Sequence, residues 1–278
     1  MILKLKTPFL LLNLFLLATV VRAQAQPHGE AKQEPSAELR STLFKQVMAD
    51  FRELRECIAQ EEGGARAAQE NMSIETHDLN RDGVPEYEVQ MSGACACGAV
   101  NCSIYIYRKT AQGFEAILDE ASGLGIEVLK TSANGYSDLF VEARDTAATR
   151  AETTYKFDGK HYREAKTMIV QVETGETKPA TRRLQFKRGT SSATVTGKVS
   201  IALPDTYLVG ASAGQVMTVT LTAPRKAVRF LVMSPTTRNL VADNAREWTG
   251  TLPETGDYYI IVDSDERNST YSMTVSIK

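Results

Sequence analysis

The chain has little of what enzymes most often use. It carries three histidines, His28, His77 and His161, and one tryptophan, Trp248, among 278 residues. No G-x-S-x-G elbow, no H-E-x-x-H pair and no cysteine–histidine pair in a recognisable context occurs. The glycines at Gly123 and Gly125 lead into a strand-like run rather than a helix, so they cradle no phosphate. An excess of one charge is also missing. Thirty-two basic residues face 34 acidic ones, a formal net charge of −2, which excludes nucleic acid and anionic membrane surfaces as partners. These absences predict a protein that is not an enzyme.

Long apolar runs are scarce, and the main one lies at the start. Lys4 and Lys6 precede Phe9–Val21, followed by Arg22 and small residues ending at Ala23 or Ala25. A bilayer span needs about 20 apolar residues, and this run is shorter. The order of basic, apolar and small residues predicts a secretory signal peptide over 1–25. Its removal takes away Lys4, Lys6 and Arg22 and no acid, so the charge moves from −2 to about −5. The expected location is periplasmic or secreted, in a bacterial envelope, with no membrane contact after cleavage.

Cysteine is limited to Cys57, Cys95, Cys97 and Cys102. An exported chain meets an oxidising compartment, where disulfides are the default. Four cysteines allow three pairings. Cys95 and Cys97 are two apart on an extended segment and point to opposite faces, so they bridge poorly. The favoured pairing is Cys97–Cys102 with Cys57–Cys95. The rival is a zinc site, but C-x-C with C-x4-C lacks the usual paired spacing.

Residues 26–35 read as a flexible lead. Ser36 is a helix N-cap, and Leu39, Leu43, Val47, Phe51, Leu54 and Ile58 form one stripe of a long helix stopped by Gly63 and Gly64. From Ile74 the apolar period changes to two. Short strands are expected between turn signals, among them 74–77, 86–91, 103–108, 139–142 and 153–157. Residues 36–166 therefore predict an α+β domain, one long helix on an antiparallel sheet, bearing the disulfides. The Thr-, Gly- and Pro-containing stretch 167–181 reads as a linker. About eight short strands and no helix signal over 182–278 predict an antiparallel β-sandwich. The fold class is mainly β.

One constellation offers oxygen ligands. In D-L-N-R-D-G-V-P-E, Asp78, Asn80 and Asp82 alternate, Gly83 permits a sharp turn and Glu86 follows. Hard oxygens at this spacing suit Ca²⁺, though an EF-hand would need glutamate where Val89 stands. The motif resembles the D-x-N-x-D-G-x-x-D loops of FG-GAP and VCBS-type repeats, with Glu86 where those have aspartate. That resemblance implies a Ca²⁺ loop joining two strands. The alternative is a turn whose Asp and Asn side chains cap their own backbone. No other cofactor is implied.

The C-terminal stretch carries F-K-R-G-T-S-S-A-T-V-T-G from Phe186, A-G-Q-V-M-T-V from Ala213 and W-T-G-T-L-P-E-T-G-D-Y-Y-I-I-V from Trp248. This order resembles the periplasmic inhibitors of i-type lysozyme and, more loosely, of g-type lysozyme. The last piece also resembles bacterial pre-peptidase C-terminal domains. The inhibitor resemblance implies a protruding loop whose hydroxyls hydrogen-bond the catalytic carboxylates of a lysozyme or another peptidoglycan hydrolase. In this sequence that loop is Thr255, Gly256, Asp257 and Tyr258, with Thr255 in place of a serine and Tyr258 supplying a phenol. The expected function is inhibition by insertion of this hairpin tip into the cleft. The alternative is an envelope or secreted binding or adhesion module with a Ca²⁺-stabilised first domain and a sandwich like a pre-peptidase C-terminal domain. Because neighbours on a strand face opposite sides, one of Tyr258 and Tyr259 is expected to be exposed.

Overall fold

Ser36 starts the first helix as its sequence position predicts. Its hydroxyl accepts the Leu39 N–H at 3.1 Å and caps α1, Ala37–Asp50. The computed structural model describes residues 35–278, so the signal peptide and nearly all of the flexible lead lie outside the described residues.

The single long helix expected through Ile58 is two helices, and a third follows where the helix was expected to stop. Phe51 leaves helical geometry at φ −115° and ψ 86°, and α2, Arg52–Ile58, begins after it. The break lets the Phe51 ring lie 4.4 Å from that of Tyr105 while Leu54 and Ile58 stay buried. A third helix, α3, spans Gly64–Asn71.

A four-stranded antiparallel sheet follows in chain order: β1 Ser73–His77, β2 Glu86–Gln90, β3 Cys102–Thr110 and β4 Gly113–Gly123. Alternation along β3 divides two cores. Tyr105 and Tyr107 join Leu43, Phe44, Val47 and Ile58 of the helices. Ile104 and Ile106 face the other way, towards Leu139, Val141, Phe157 and Tyr162. Those residues belong to a second antiparallel sheet of β5 Ile126–Ala133, β6 Tyr136–Arg144, β7 Thr149–Phe157, β8 Tyr162–Gln171 and β9 Thr177–Pro179. The chain changes sheet at Gly123, where a Cβ would come within 2.4 Å of Val141 Cγ1 and 2.7 Å of the Glu142 carbonyl. Only a residue without a side chain fits that crossing. The stretch read as a linker, 167–181, contains the end of β8 and all of β9, because Thr177–Pro179 pairs with Met168–Val170.

Both disulfides of the favoured pairing are formed, Cys57–Cys95 and Cys97–Cys102. The first fastens α2 to the loop before β3; the second closes that loop upon itself.

The remaining strands are β10 Arg182–Arg183, β11 Ser192–Val199, β12 Asp205–Ala211, β13 Val216–Thr222, β14 Val228–Met233, β15 Leu240–Ala245, β16 Glu247–Thr251, β17 Gly256–Ser264 and β18 Ser269–Ile277. They form two sheets, ordered β10-β12-β17-β14-β15 and β11-β18-β13-β16. One core lies between them, including Tyr207, Met217, Val219, Phe230, Tyr258, Ile260, Met273 and Val275. Trp248 packs against its margin. Strict alternation along β17 and β18 is what buries every second side chain. The molecule is mainly β.

Candidate functional site

The connection from Leu252 to Thr255 is not a hairpin. The strand before it, β16, pairs with β13, while β17 after it pairs with β12 and β14 in the opposite sheet. The chain therefore arches over the edge of the core from one sheet to the other. A hairpin tip would have both flanking strands paired to each other; an arch is held by whatever surrounds it.

Here it is held on three sides. Leu252 donates its N–H to Gln215 and accepts from Gly214, which stitches the arch to the β12–β13 turn. The Thr255 hydroxyl accepts the Ala213 N–H at 2.9 Å. Glu254 reaches the loop after β14, where its carboxylate accepts from the Thr236 N–H at 3.0 Å and the Thr237 hydroxyl at 2.8 Å. Those bonds stabilise the charged form and hold the Glu254 carboxyl below the usual range. Gly256 sits at φ 149°, and a Cβ there would meet Pro235 at 2.8 Å. Only glycine takes that backbone against that proline without strain.

Tyr258 is the third support, and its place corrects the expected loop. Its side chain is 0 % exposed, inside the core between the two sheets. Its hydroxyl accepts the Glu254 N–H at 2.9 Å and donates to the Glu254 carbonyl at 2.8 Å. The phenol braces the arch from within and offers nothing to another molecule. The reason is alternation: Tyr258 shares the inward face with Ile260 and Val262, and Tyr259 takes the outward one. Tyr259 is partly exposed, its ring covered by the Arg238 guanidinium at 3.8 Å, which also donates to its hydroxyl at 2.8 Å. Asp257 pairs through both oxygens with Arg183, and that guanidinium lowers its carboxyl pKa. Of the four residues expected to act together, only Thr255 is exposed. Its hydroxyl accepts one bond and retains a proton to donate. Arg183, the 212–215 turn and the Thr236 and Thr237 partners of Glu254 are supports the sequence pattern did not reveal, because they lie far along the chain from the arch.

The Asp78–Glu86 loop joins β1 to β2 as expected. Asp78 accepts from the Asp82 and Gly83 N–H groups, both at 3.1 Å. Asn80 accepts from Asp82 at 3.0 Å, and Asp82 accepts from Val84 at 2.7 Å. Those are the bonds of a self-capping turn. Glu86 differs. It is 3 % exposed and accepts the Leu79 N–H at 2.9 Å. Burial raises its pKa, with the Asp82 and Asp78 charges adding and the Leu79 N–H opposing. The Leu79 carbonyl accepts from Ser137, and the Asn80 amide donates to the Tyr136 hydroxyl at 3.2 Å, so the loop is docked on β6. The donor set is all oxygen, which fits Ca²⁺ rather than a softer ion.

No family model and no curated protein matches the chain. Solved structures do. The periplasmic inhibitor of g-type lysozyme from Aeromonas hydrophila is 28 % identical over 35 % of this chain and 96 % of that one, with a TM-score of 0.33. Its counterpart from Salmonella Typhimurium is 22 % identical over 35 % and 97 %, with a TM-score of 0.30. The pre-peptidase C-terminal domain of a collagenase from Bacillus anthracis is 16 % identical over 35 % and 94 %, with a TM-score of 0.28. Inhibitors of g-type lysozyme, the looser of the two inhibitor resemblances, and a pre-peptidase C-terminal domain are among these structures. None of these likenesses reaches a TM-score of 0.5, and they assign no activity to this chain. They give no support to the FG-GAP or VCBS resemblance of the Asp78 loop.

Proposed function

We propose that this is an extracytoplasmic, non-enzymatic binding protein whose C-terminal two-sheet unit inhibits a lysozyme-type peptidoglycan hydrolase. The observation that carries the reading is the braced arch. Thr255 stands exposed on a segment fixed by the Ala213 N–H, by two bonds from the buried Tyr258 phenol and by the Glu254 anchor. A contact group held this way loses little further freedom on binding. The motif order from Phe186 to Val262 resembles the inhibitor family and names the partner class. Two disulfides suit an oxidising compartment, and no helix among the described residues is long and apolar enough to cross a membrane.

The mechanism differs from a two-hydroxyl probe. A lysozyme cleft holds one carboxylic acid and one carboxylate. Thr255 donates to one of them, and the body of the arch excludes the sugar chain. A hydrogen bond to a charged group is worth about 1.5–3 kcal/mol. Titration against g-, i- and c-type lysozymes is the test. Inhibition of one type is expected, weakened about 10- to 100-fold by Thr255→Val, which keeps the side chain's shape and removes the hydroxyl together with its bond from the Ala213 N–H. No inhibition of any type at micromolar protein would remove the reading.

Glu86, buried beside two other carboxylates, favours a second reading of the first half as a Ca²⁺-stabilised adhesion unit, with Asp78, Asn80, Asp82 and Glu86 as ligands. Calorimetry with Ca²⁺ tests it, and equal heats from wild type and Asp82→Ala would dismiss it.

A further inference from the structure

The face of the first sheet that meets the second sheet is apolar on β3 but not on β1 and β2. Ile104 and Ile106 there are fully buried. Their cross-strand partners on β2 are Gln90 and Glu88. Glu88 in turn stands directly opposite Glu75 on β1, and His77 is two residues along from Glu75. Period-two alternation places all three on one face.

Two carboxylates directly opposite each other on paired strands repel, and Glu88 is only 5 % exposed. The His77 Nε2 lies 2.8 Å from Glu88 Oε2. One ligand atom from each of Glu75, His77 and Glu88 falls within 4.8 Å of the others. Glu75 and Glu88 also line a cavity of about 420 Å³ between the two sheets, with Gln90, Ile126, Phe140 and Glu142 on its walls.

We propose that Glu75, His77 and Glu88 form a binding site for a divalent transition-metal ion, with Zn²⁺ as its test ligand. One imidazole and two carboxylates make a three-ligand set that Zn²⁺ accepts in tetrahedral geometry, leaving a fourth position for water. The cavity beside Glu75 gives that position access to solvent. An ion there lies between the two carboxylates that face each other across β1 and β2, with the imidazole beside them. The nitrogen ligand separates this site from the all-oxygen loop beginning at Asp78. The proposal is independent of the inhibitor reading, since it uses no residue of the C-terminal sheets.

Isothermal titration of the exported chain with Zn²⁺ in a non-chelating buffer at neutral pH tests it, together with Co²⁺ absorption as a report of nitrogen ligation. One saturable Zn²⁺ per chain is expected. His77→Gln and Glu75→Gln should each weaken it at least tenfold, and Asp82→Ala should leave it unchanged. Glu75 is exposed, so its substitution is expected to disturb folding less than one at the buried Glu88, and far-UV circular dichroism of the variant checks that it is folded before the titration is read. Zn²⁺ should also raise the melting temperature of the wild type and not that of Glu75→Gln. No saturable binding to the wild type, or binding undiminished in both His77→Gln and Glu75→Gln, would overturn the proposal.

Discussion

At the scale of single residues, Tyr258 decides how the arch must be understood. A phenol that is fully buried and makes both of its hydrogen bonds to Glu254 backbone groups is a structural brace. Removing the hydroxyl leaves an N–H and a carbonyl without their partner, at a cost of about 1–3 kcal/mol. Tyr258→Phe should therefore lower the melting temperature by several degrees, whereas Thr255→Val, at an exposed position, should change it by far less. Thermal unfolding of the two variants checks the order; a reversed order would mean that the arch is held from outside. The sequence told that one of the two adjacent tyrosines faces inward. It did not tell which, because that depends on where β17 joins its sheet, and the flanking strands were read as one hairpin. Nothing local to W-T-G-T-L-P-E-T-G-D-Y marks the change of sheet, which is set by pairing with β12, β13 and β14.

At the scale of elements, local chemistry was legible and tertiary pairing was not. The Ser36 cap, the Asp78 turn and the alternation of β17 and β18 follow from residues near one another in the chain. The break at Phe51 does not, since it depends on Tyr105, more than fifty residues later. The same holds for the separation of β5–β9 into their own sheet. The cysteines were legible in part: Cys95 and Cys97 are too close to pair, which leaves two of the three pairings, and the favoured one with the short Cys97–Cys102 loop is the one formed. Their bridges enclose very different loops, with sequence separations of 38 and 5. In a chain-entropy treatment the longer one contributes about 4 kcal/mol and the shorter about 2. Replacing Cys57 and Cys95 by serine should cost roughly twice as much in urea denaturation as replacing Cys97 and Cys102. Equal costs would place the contribution in packing of the loop rather than in chain restriction.

The Asp78 loop carries a pH dependence of definite sign. Burial raises the Glu86 pKa above its unfolded value, with Asp82 and Asp78 adding to it. The native state thus holds this proton more tightly than the unfolded chain. Its contribution is fully present below the unfolded value of about 4.3 and is lost as pH rises through the raised native value. Without added metal, Glu86→Gln should flatten the stability profile above that range and melt no lower than wild type at pH 7. With Ca²⁺ the order should reverse if the loop binds it. Melting curves from pH 4 to 8, with and without Ca²⁺, read both effects.

At the scale of the molecule, the question is what makes the helix-bearing half and the C-terminal sheets one body. Residues 35–278 cluster as a single unit, and the polar link between their cores runs through Lys178 on β9. Its ammonium, largely buried, donates to the Lys198 and Leu203 carbonyls and lies 3.2 Å from Asp205. Asp205 is 1 % exposed on its side chain and also receives the Tyr271 hydroxyl at 2.6 Å, which is bonded in turn to Tyr207 at 2.7 Å. Burial and that carboxylate push the Tyr271 pKa far upward, so the hydroxyl stays protonated at any ordinary pH. Removing one partner of a buried ion pair costs about 3–5 kcal/mol; Arg182, 3.4 Å from Asp205, remains to reduce it, and about 3 kcal/mol is expected for Lys178→Met. The loss should fall on coupling as well as on stability. Wild type should melt in one calorimetric transition, and Lys178→Met in two, the lower belonging to the sheets that contain Asp205. A single transition at reduced temperature in the variant would show that apolar contacts alone join the halves. In that case β9 belongs to the first half by pairing and to the second only by proximity.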